Sequence, residues 1–313
     1  MEKIVCVVGP TASGKTALAV QLAKLLDGEV VSCDSMQIYR GMDIGTAKPT
    51  LAEMEGIPHH MLDVVDPQTP FSVGQYVAMA DPIVRDILDR GKTVILAGGT
   101  GLYVDSLIAG RTFAPLPATG QREALEAQAK QEGLAALYCR LKQVDPEIAG
   151  KIAPSDQKRI LRALEVYELT GKPLSWHNAQ TRLQPPKYTP IWIGLDFPDR
   201  QVLYDRINRR VEQMITAGLL KEVQALLDLG IPATATSMQA IGYRQILAVI
   251  QESLPLDQAV AQIQQESRRY AKRQLTWFRR NPAIHWIFQS DPPDFSTSLS
   301  TALSYLPFFD TLL

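Results

Sequence analysis

Apolar positions near the N-terminus fall in short unbroken runs, not in alternation with polar ones. KIVCVVG, ending at Gly9, is β-branched and apolar almost throughout, the pattern of a strand buried on both faces. KTALAVQLAKLLDG then places Leu18, Leu22, Leu25 and Leu26 at helical spacing and stops at Gly28. EVVSCDS predicts a second strand, DPIVRDILDRG a helix, and KTVILAGGTG a further buried strand that runs into a glycine-rich turn. Strands alternating with helices predict an α/β fold, a parallel sheet covered on both faces.

The pattern changes near FAPLPATG. From Arg122 to about Gly171 the chain is helical and charged, and the proline-rich QPPKYTP closes that region before IWIGLDF restores a strand. This predicts a mainly helical insertion at residues 114–190, within an α/β core made of residues 1–113 and 191–313. From Gln201 onward the chain reads as helical up to a polar tail, QSDPPDFSTSLS.

Composition narrows the class. Apolar residues are 46% of the 313, enough for a sizeable core, and no apolar run approaches the roughly 18 residues that span a bilayer. The N-terminus lacks the pattern of a signal peptide. Three cysteines (Cys6, Cys33, Cys139), two of them in buried-strand sequence, argue against a disulfide framework and for a reducing compartment, hence a cytoplasmic protein. No zinc-binding spacing is present. A net charge of −1 suggests no polyanion partner, yet residues 268–280, RRYAKRQLTWFRR, carry six Lys or Arg, three aromatics and no acid. Basic residues interleaved with aromatics suit RNA, whose phosphates pair with Arg and whose unstacked bases stack on rings; a solvated helix face is the plainer reading.

The most specific chemistry lies in GPTASGKT: Gly9, Pro10, Thr11, Ala12, Ser13, Gly14, Lys15 and Thr16. A Gly-x-x-x-x-Gly-Lys-Thr loop between strand and helix wraps backbone N–H groups around phosphate oxygens at a helix N-terminus. Lys15 would reach the outer phosphate and Thr16 would offer a hydroxyl to Mg²⁺. Nucleotide hydrolysis also needs a strand ending in a metal-holding Asp. TVILAGG ends in glycines, and Asp63 and Asp66 follow a run too short and polar to fill the role. The loop therefore suits any diphosphate ester. Asp34 in CDSMQ and the GGTG turn at 98–101 follow two other strands, so all three features converge on the edge where open parallel sheets bind ligands. An ordinary turn Asp is the competing reading of Asp34.

Together these segments resemble the tRNA dimethylallyltransferases, also called tRNA isopentenyltransferases. The resemblance rests on GPTASGKTALA, DSMQIYRGMDIGTAKP, HHMLDVVDP, FSVGQY, GGTGLY, PSDQKRILRALEVYELTGKPLS, QAIGYRQ and AKRQLTWFRR, in family order from residue 9 to 280. It implies transfer of a dimethylallyl group from dimethylallyl diphosphate to the exocyclic N6 amine of the adenine 3′-adjacent to the tRNA anticodon. By the same resemblance Asp34 is the base, and Thr100 and Arg210 contact the diphosphate, with Arg206 the other candidate in DRINRR. Ser35, Met36 and Gln37 would line the pocket of a flipped-out base. Arg122, Lys158, Arg159, Ile160, Leu161 and Arg162 would meet tRNA on one side. Gln239, Gly242, Tyr243, Arg244, Gln245, Lys272, Arg273, Gln274, Trp277 and Arg279 would form the other wall. Pairing of the 158–162 cations with Asp156 or Glu165 competes with RNA contact. The family pattern has Asn where this chain has Ser155, which is expected to cap the next helix. The expected partners are the tRNA anticodon stem-loop and dimethylallyl diphosphate, with Mg²⁺, no membrane, and a monomer. The nearest alternative, a relative that prenylates free adenine nucleotides, would not need QAIGYRQ or the basic run. A phosphate-loop kinase and a non-catalytic nucleotide-sensing RNA binder are more distant.

Overall fold

The computed structural model describes residues 4–111, 113, 120–183 and 185–307, and divides into two compact units, residues 1–110 with 187–313, and residues 111–186. The first unit begins β1 (Ile4–Val8), α1 (Lys15–Leu25), β2 (Gly28–Ser32), α2 (Leu51–Met54), β3 (His59–His60), α3 (Val73–Asp89), β4 (Thr93–Gly98), α4 (Gly101–Ile108). The second holds α5 (Gln121–Glu132), α6 (Leu134–Val144), α7 (Pro146–Ala149), α8 (Gln157–Thr170) and α9 (Leu174–Leu183). The chain returns as β5 (Ile191–Asp196), α10 (Arg200–Ala217), α11 (Leu219–Asp228), α12 (Tyr243–Glu252), α13 (Leu256–Phe278), β6 (Ile284–Phe288) and α14 (Phe295–Ser304). Most of FAPLPATG lies outside the described residues.

All six strands run parallel in the order β3-β2-β4-β1-β5-β6. Both faces of β1 are buried, which is why its sequence is apolar without alternation. Ile4, Cys6 and Val8 face a core shared with α3 and α4, while Val5 and Val7 face Leu18 and Leu22 of α1. A third core packs α10–α13 around Ile38, Tyr39 and Met42. The helical unit has its own core around Leu125, Leu137, Leu141, Ile160, Leu161 and Leu164. Among the described residues no helix is long and apolar enough to cross a membrane.

Four expectations are corrected. The helix read from DPIVRDILDRG starts earlier, at Val73: Ser72 and Gln75 form a capping box, and Pro82 sits inside the helix. The region after Gln201 is not helical up to the tail. α13 ends at Phe278, Asn281 and Pro282 follow, and Ile284–Phe288 adds an edge strand beside β5. Part of the polar tail is α14. Its serines and threonines are poor helix formers, but Asp294 caps Ser296 N and Thr297 N, and Ala302 and Leu306 bury against α1. Finally, Asp156, not Ser155, caps α8, accepting from Arg159 N at 3.2 Å.

Candidate active site at the carboxyl ends of the strands

Register brings the three loops to one level. Val8 pairs with Gly98, and Ser32 with Ala97, so the phosphate loop, the Asp34 turn and the GGTG turn all leave the sheet together. Gly14, at φ 86°, takes the left-handed conformation just before α1, which glycine adopts without steric cost. Lys15 Nζ donates to Pro10 O at 2.6 Å. Two arginines of α10, one turn apart, meet the loop differently. Arg206 Nε donates to Ala12 O at 3.0 Å and so shapes the backbone. Arg210 reaches Thr11 Oγ1 at 3.5 Å and lies near enough to Lys15 and Asp34 to feel both charges. Arg210 therefore faces the place an anion would occupy. Burial, then the Arg210 charge, lowers Lys15 to about 7, and Asp34 partly opposes this. Burial also holds Arg210 below its usual range. Two cations pressed together with depressed affinities for their protons form a site that gains from a bound diphosphate. Ser13 Oγ is buried and has no hydrogen-bond partner among the described residues.

Asp34 follows β2. Its Oδ1 accepts from Met36 N at 2.8 Å and from Gln37 N at 3.4 Å, so the turn reading of this residue holds. The same carboxylate faces the crevice, where its charge acts on Lys15, Arg210 and Tyr270. Thr100 bridges the second and third loops: its N–H donates to Cys33 O at 3.2 Å and its Oγ1 accepts from Ser35 N at 3.1 Å. Ser35 and Met36 are half-buried at this turn. The Gln37 amide is already engaged, accepting from Ser32 Oγ and donating to the carbonyls of Thr46 and Ala47. It braces the following loop and is less free to meet a base than its position suggested.

Two residues that the sequence reading did not single out complete the picture. Tyr270 of α13 hydrogen-bonds with Thr100 and Gln274, and burial together with the Asp34 charge pushes it up to about 12. It was legible only as one aromatic in a basic run. Glu222 of α11 accepts from the backbone N–H groups of Asp43, Ile44 and Gly45 and from Tyr243 Oη. It fixes the loop against which Gln37 rests, and nothing in its local sequence signals this.

The remaining RNA candidates separate by exposure. Gln239, Arg244, Lys272, Arg273 and Arg279 are exposed; Arg244 pairs with Glu266, and Arg279 with Asp196. Gly242, Tyr243, Gln245 and Gln274 are buried, and Trp277 packs on Gly101 with its Nε1 donating to Asp105. In the helical unit Lys158 and Arg159 are exposed, whereas Ile160 and Leu161 are 0% and 1% exposed and belong to the core. The side chains of Ile160, Leu161, Tyr243, Gln245 and Gln274 thus face the protein interior. Arg159 pairs with Asp156, Arg162 with Glu165, and Arg122 with Glu126.

A glycine-rich loop at the end of a central strand of a parallel sheet, with Lys15 and Arg210 beside it and the charges of Glu53 and Asp34 acting on Arg210, marks a phosphate-loop enzyme that handles an anionic ester. Comparison with known proteins carries this further. The chain belongs to the IPP transferase family, whose model matches residues 37–281. It is 48% identical to a tRNA dimethylallyltransferase of Caldanaerobacter subterraneus, over 97% of each chain. It is 47% identical to one of Geobacillus thermodenitrificans, over 97% of this chain and 96% of the relative. The full-length tRNA isopentenylpyrophosphate transferase of Bacillus halodurans aligns over 100% of this chain and 99% of its own, at 42% identity and TM-score 0.73. A eukaryotic dimethylallyltransferase solved acting on tRNA aligns over 96% of this chain and 77% of its own, at 28% identity and TM-score 0.82.

Proposed function

We propose that this chain transfers a dimethylallyl group from dimethylallyl diphosphate to the exocyclic N6 amine of the adenine immediately 3′ of the tRNA anticodon. The supporting observation is the meeting of Lys15, Arg210, Thr100 and Asp34 at one crevice. Cations surround the phosphate loop, a carboxylate faces it, and β4, next to β1, ends in Gly98 where a hydrolase would carry a metal-holding Asp.

The residues match the chemistry. The adenine amine is a poor nucleophile because its lone pair is delocalised into the ring, whereas the allylic carbon with its diphosphate is already reactive. Asp34 takes the N6 proton as the N–C bond forms and the C–O bond to diphosphate breaks. Lys15, Arg210, the loop N–H groups and the Thr100 hydroxyl hold the departing anion. Mg²⁺ fits this donor set, because it commonly binds through one protein oxygen plus phosphate oxygens and water. Thr16, in the first turn of α1, would be that oxygen, and the ion would add positive charge to the leaving group. Anticodon-arm contacts would come from Arg122, Lys158, Arg159 and Arg162 of the helical unit and from Gln239, Arg244, Lys272, Arg273 and Arg279. The chain would act on tRNA in the cytoplasm.

Incubation with labelled dimethylallyl diphosphate and either unmodified tRNA or AMP tests the reading. Label is expected on tRNA. Label on AMP alone would indicate a free-nucleotide prenyltransferase, and ATP turnover without transfer would indicate a kinase. Neutralising Arg269, Lys272 and Arg273 together should weaken tRNA binding and reduce the slope of log K against log salt by roughly 2 to 3, since each phosphate contact contributes about 0.7 to 0.9. All three are exposed, and Arg269 shares its charge with Glu266. An unaltered slope would make this run a solvated face.

A further inference from the structure

We infer that Gln274 is a positioning residue of the donor site, its single side-chain amide holding the diphosphate loop and the Thr100 turn at a fixed spacing. Gln274 is 5% exposed. Its Oε1 accepts from Thr11 N at 2.9 Å, inside the phosphate loop. Its Nε2 donates to Gly99 O at 3.0 Å, one residue before Thr100. Both ends of the amide are thus spent on two different loops of the site.

The glycine-rich turn is shaped for this contact. A methyl group at Gly99 would collide with Gln274 Nε2, and one at Gly101 would collide with the Trp277 ring. Gly99 and Gly101 therefore serve close approach of α13, while a methyl group at Gly98 would meet the backbone of Cys33. Thr11, on one side of the clamp, also meets Arg210 through its hydroxyl, and Thr100, on the other, holds Ser35 beside Asp34. A shift of the amide moves the leaving-group contacts and the base together. Removing it strands a part-buried N–H at Thr11 and a buried C=O at Gly99. Displacements of about 1 Å at a reacting centre can cost on the order of 10²-fold. Gln274 is thereby distinguished from Arg269, Lys272 and Arg273, which the same helix presents to solvent.

The inference rests on the transferase reading, and its test separates the two. Gln274→Met keeps the volume and removes the hydrogen bonds to Thr11 N and Gly99 O together with that to Tyr270. The full chain carrying it should show a higher KM for dimethylallyl diphosphate and a kcat lowered roughly 10- to 10²-fold, with tRNA affinity within about twofold of wild type. Gln274→Glu can still accept from Thr11 N but not donate to Gly99 O, and it adds negative charge beside the loop. It should weaken donor binding further without weakening tRNA binding. Gly99→Ala should reproduce the donor defect, and adding Gln274→Ala should relieve the collision, so the two changes should be non-additive. That cycle also serves if Gln274→Met folds poorly. A raised tRNA KM with donor parameters unchanged would make Gln274 an RNA contact and overturn the inference. A lowered Tm with both sets of parameters unchanged would do the same. If the wild type transfers nothing, the transferase reading fails, while calorimetry with dimethylallyl diphosphate alone still reports whether the clamp shapes the loop.

Discussion

Asp34→Asn is expected to lower single-turnover transfer to tRNA by roughly 10² to 10⁴-fold, the range for loss of a positioned general base. Asparagine is the informative replacement. The Asp34 Oδ1 that accepts from Met36 N and Gln37 N has a counterpart in the amide oxygen, so the turn survives and only the proton acceptor is removed. Alanine would also release the turn and mix a folding effect with a chemical one. Binding of tRNA and of the donor should persist in Asp34→Asn, because the residue touches neither the phosphate loop backbone nor the exposed basic face. Turnover equal to wild type would remove Asp34 from the mechanism and leave it a turn residue.

Lys15→Met is expected to lower kcat/KM for the donor by roughly 10² to 10³-fold, the scale of losing one donor aimed at developing negative charge. A second signature makes the assignment sharper. Lys15 sits at about 7 because burial and Arg210 disfavour its charge, and a bound diphosphate reverses that balance. Below pH 7 the free protein already carries the proton, so donor binding takes up none at Lys15. Above pH 7 binding must recruit one, and affinity should fall by up to about tenfold per pH unit until the pKa of the bound state is reached. Calorimetry in two buffers of different ionisation enthalpy measures that uptake directly. In Lys15→Met this part of the uptake should vanish, leaving only what the diphosphate itself contributes. Equal proton uptake by the two proteins would mean that Lys15 does not titrate on binding.

The parts of this molecule visible in the sequence are those set by local pattern. The unbroken apolar run at β1 and the leucine spacing of α1 needed no tertiary context, and a phosphate loop carries its own glycines. β6 escaped notice because an edge strand five residues long has one exposed face and no turn signal of its own beyond Asn281-Pro282. α14 escaped because its helix depends on Asp294 and on burial against α1 rather than on propensity. At the crevice, motif spacing singled out Lys15, and position at the strand ends singled out Asp34 and the GGTG turn. Spacing could not separate Arg206 from Arg210, since both lie on one face of α10, and only the three-dimensional placement shows one holding a loop carbonyl and the other reaching the Thr11 hydroxyl. The basic run misled in a different way. Periodicity does not reveal which members of an amphipathic helix turn inward, so Gln274 read as surface until its partners were seen.

The Thr11–Gln274 hydrogen bond joins residues 263 positions apart. During synthesis the whole GPTASGKT segment leaves the ribosome while the residue that completes it is still untranslated. At about 5 to 20 residues per second, that interval is on the order of ten seconds to a minute. Nascent chains therefore pass through a stage in which the first strand and helix can pair but the loop between them has no lateral brace, and a polypeptide that stops just short of Gln274 should pair β1 to β5 and still grip prenyl diphosphate poorly.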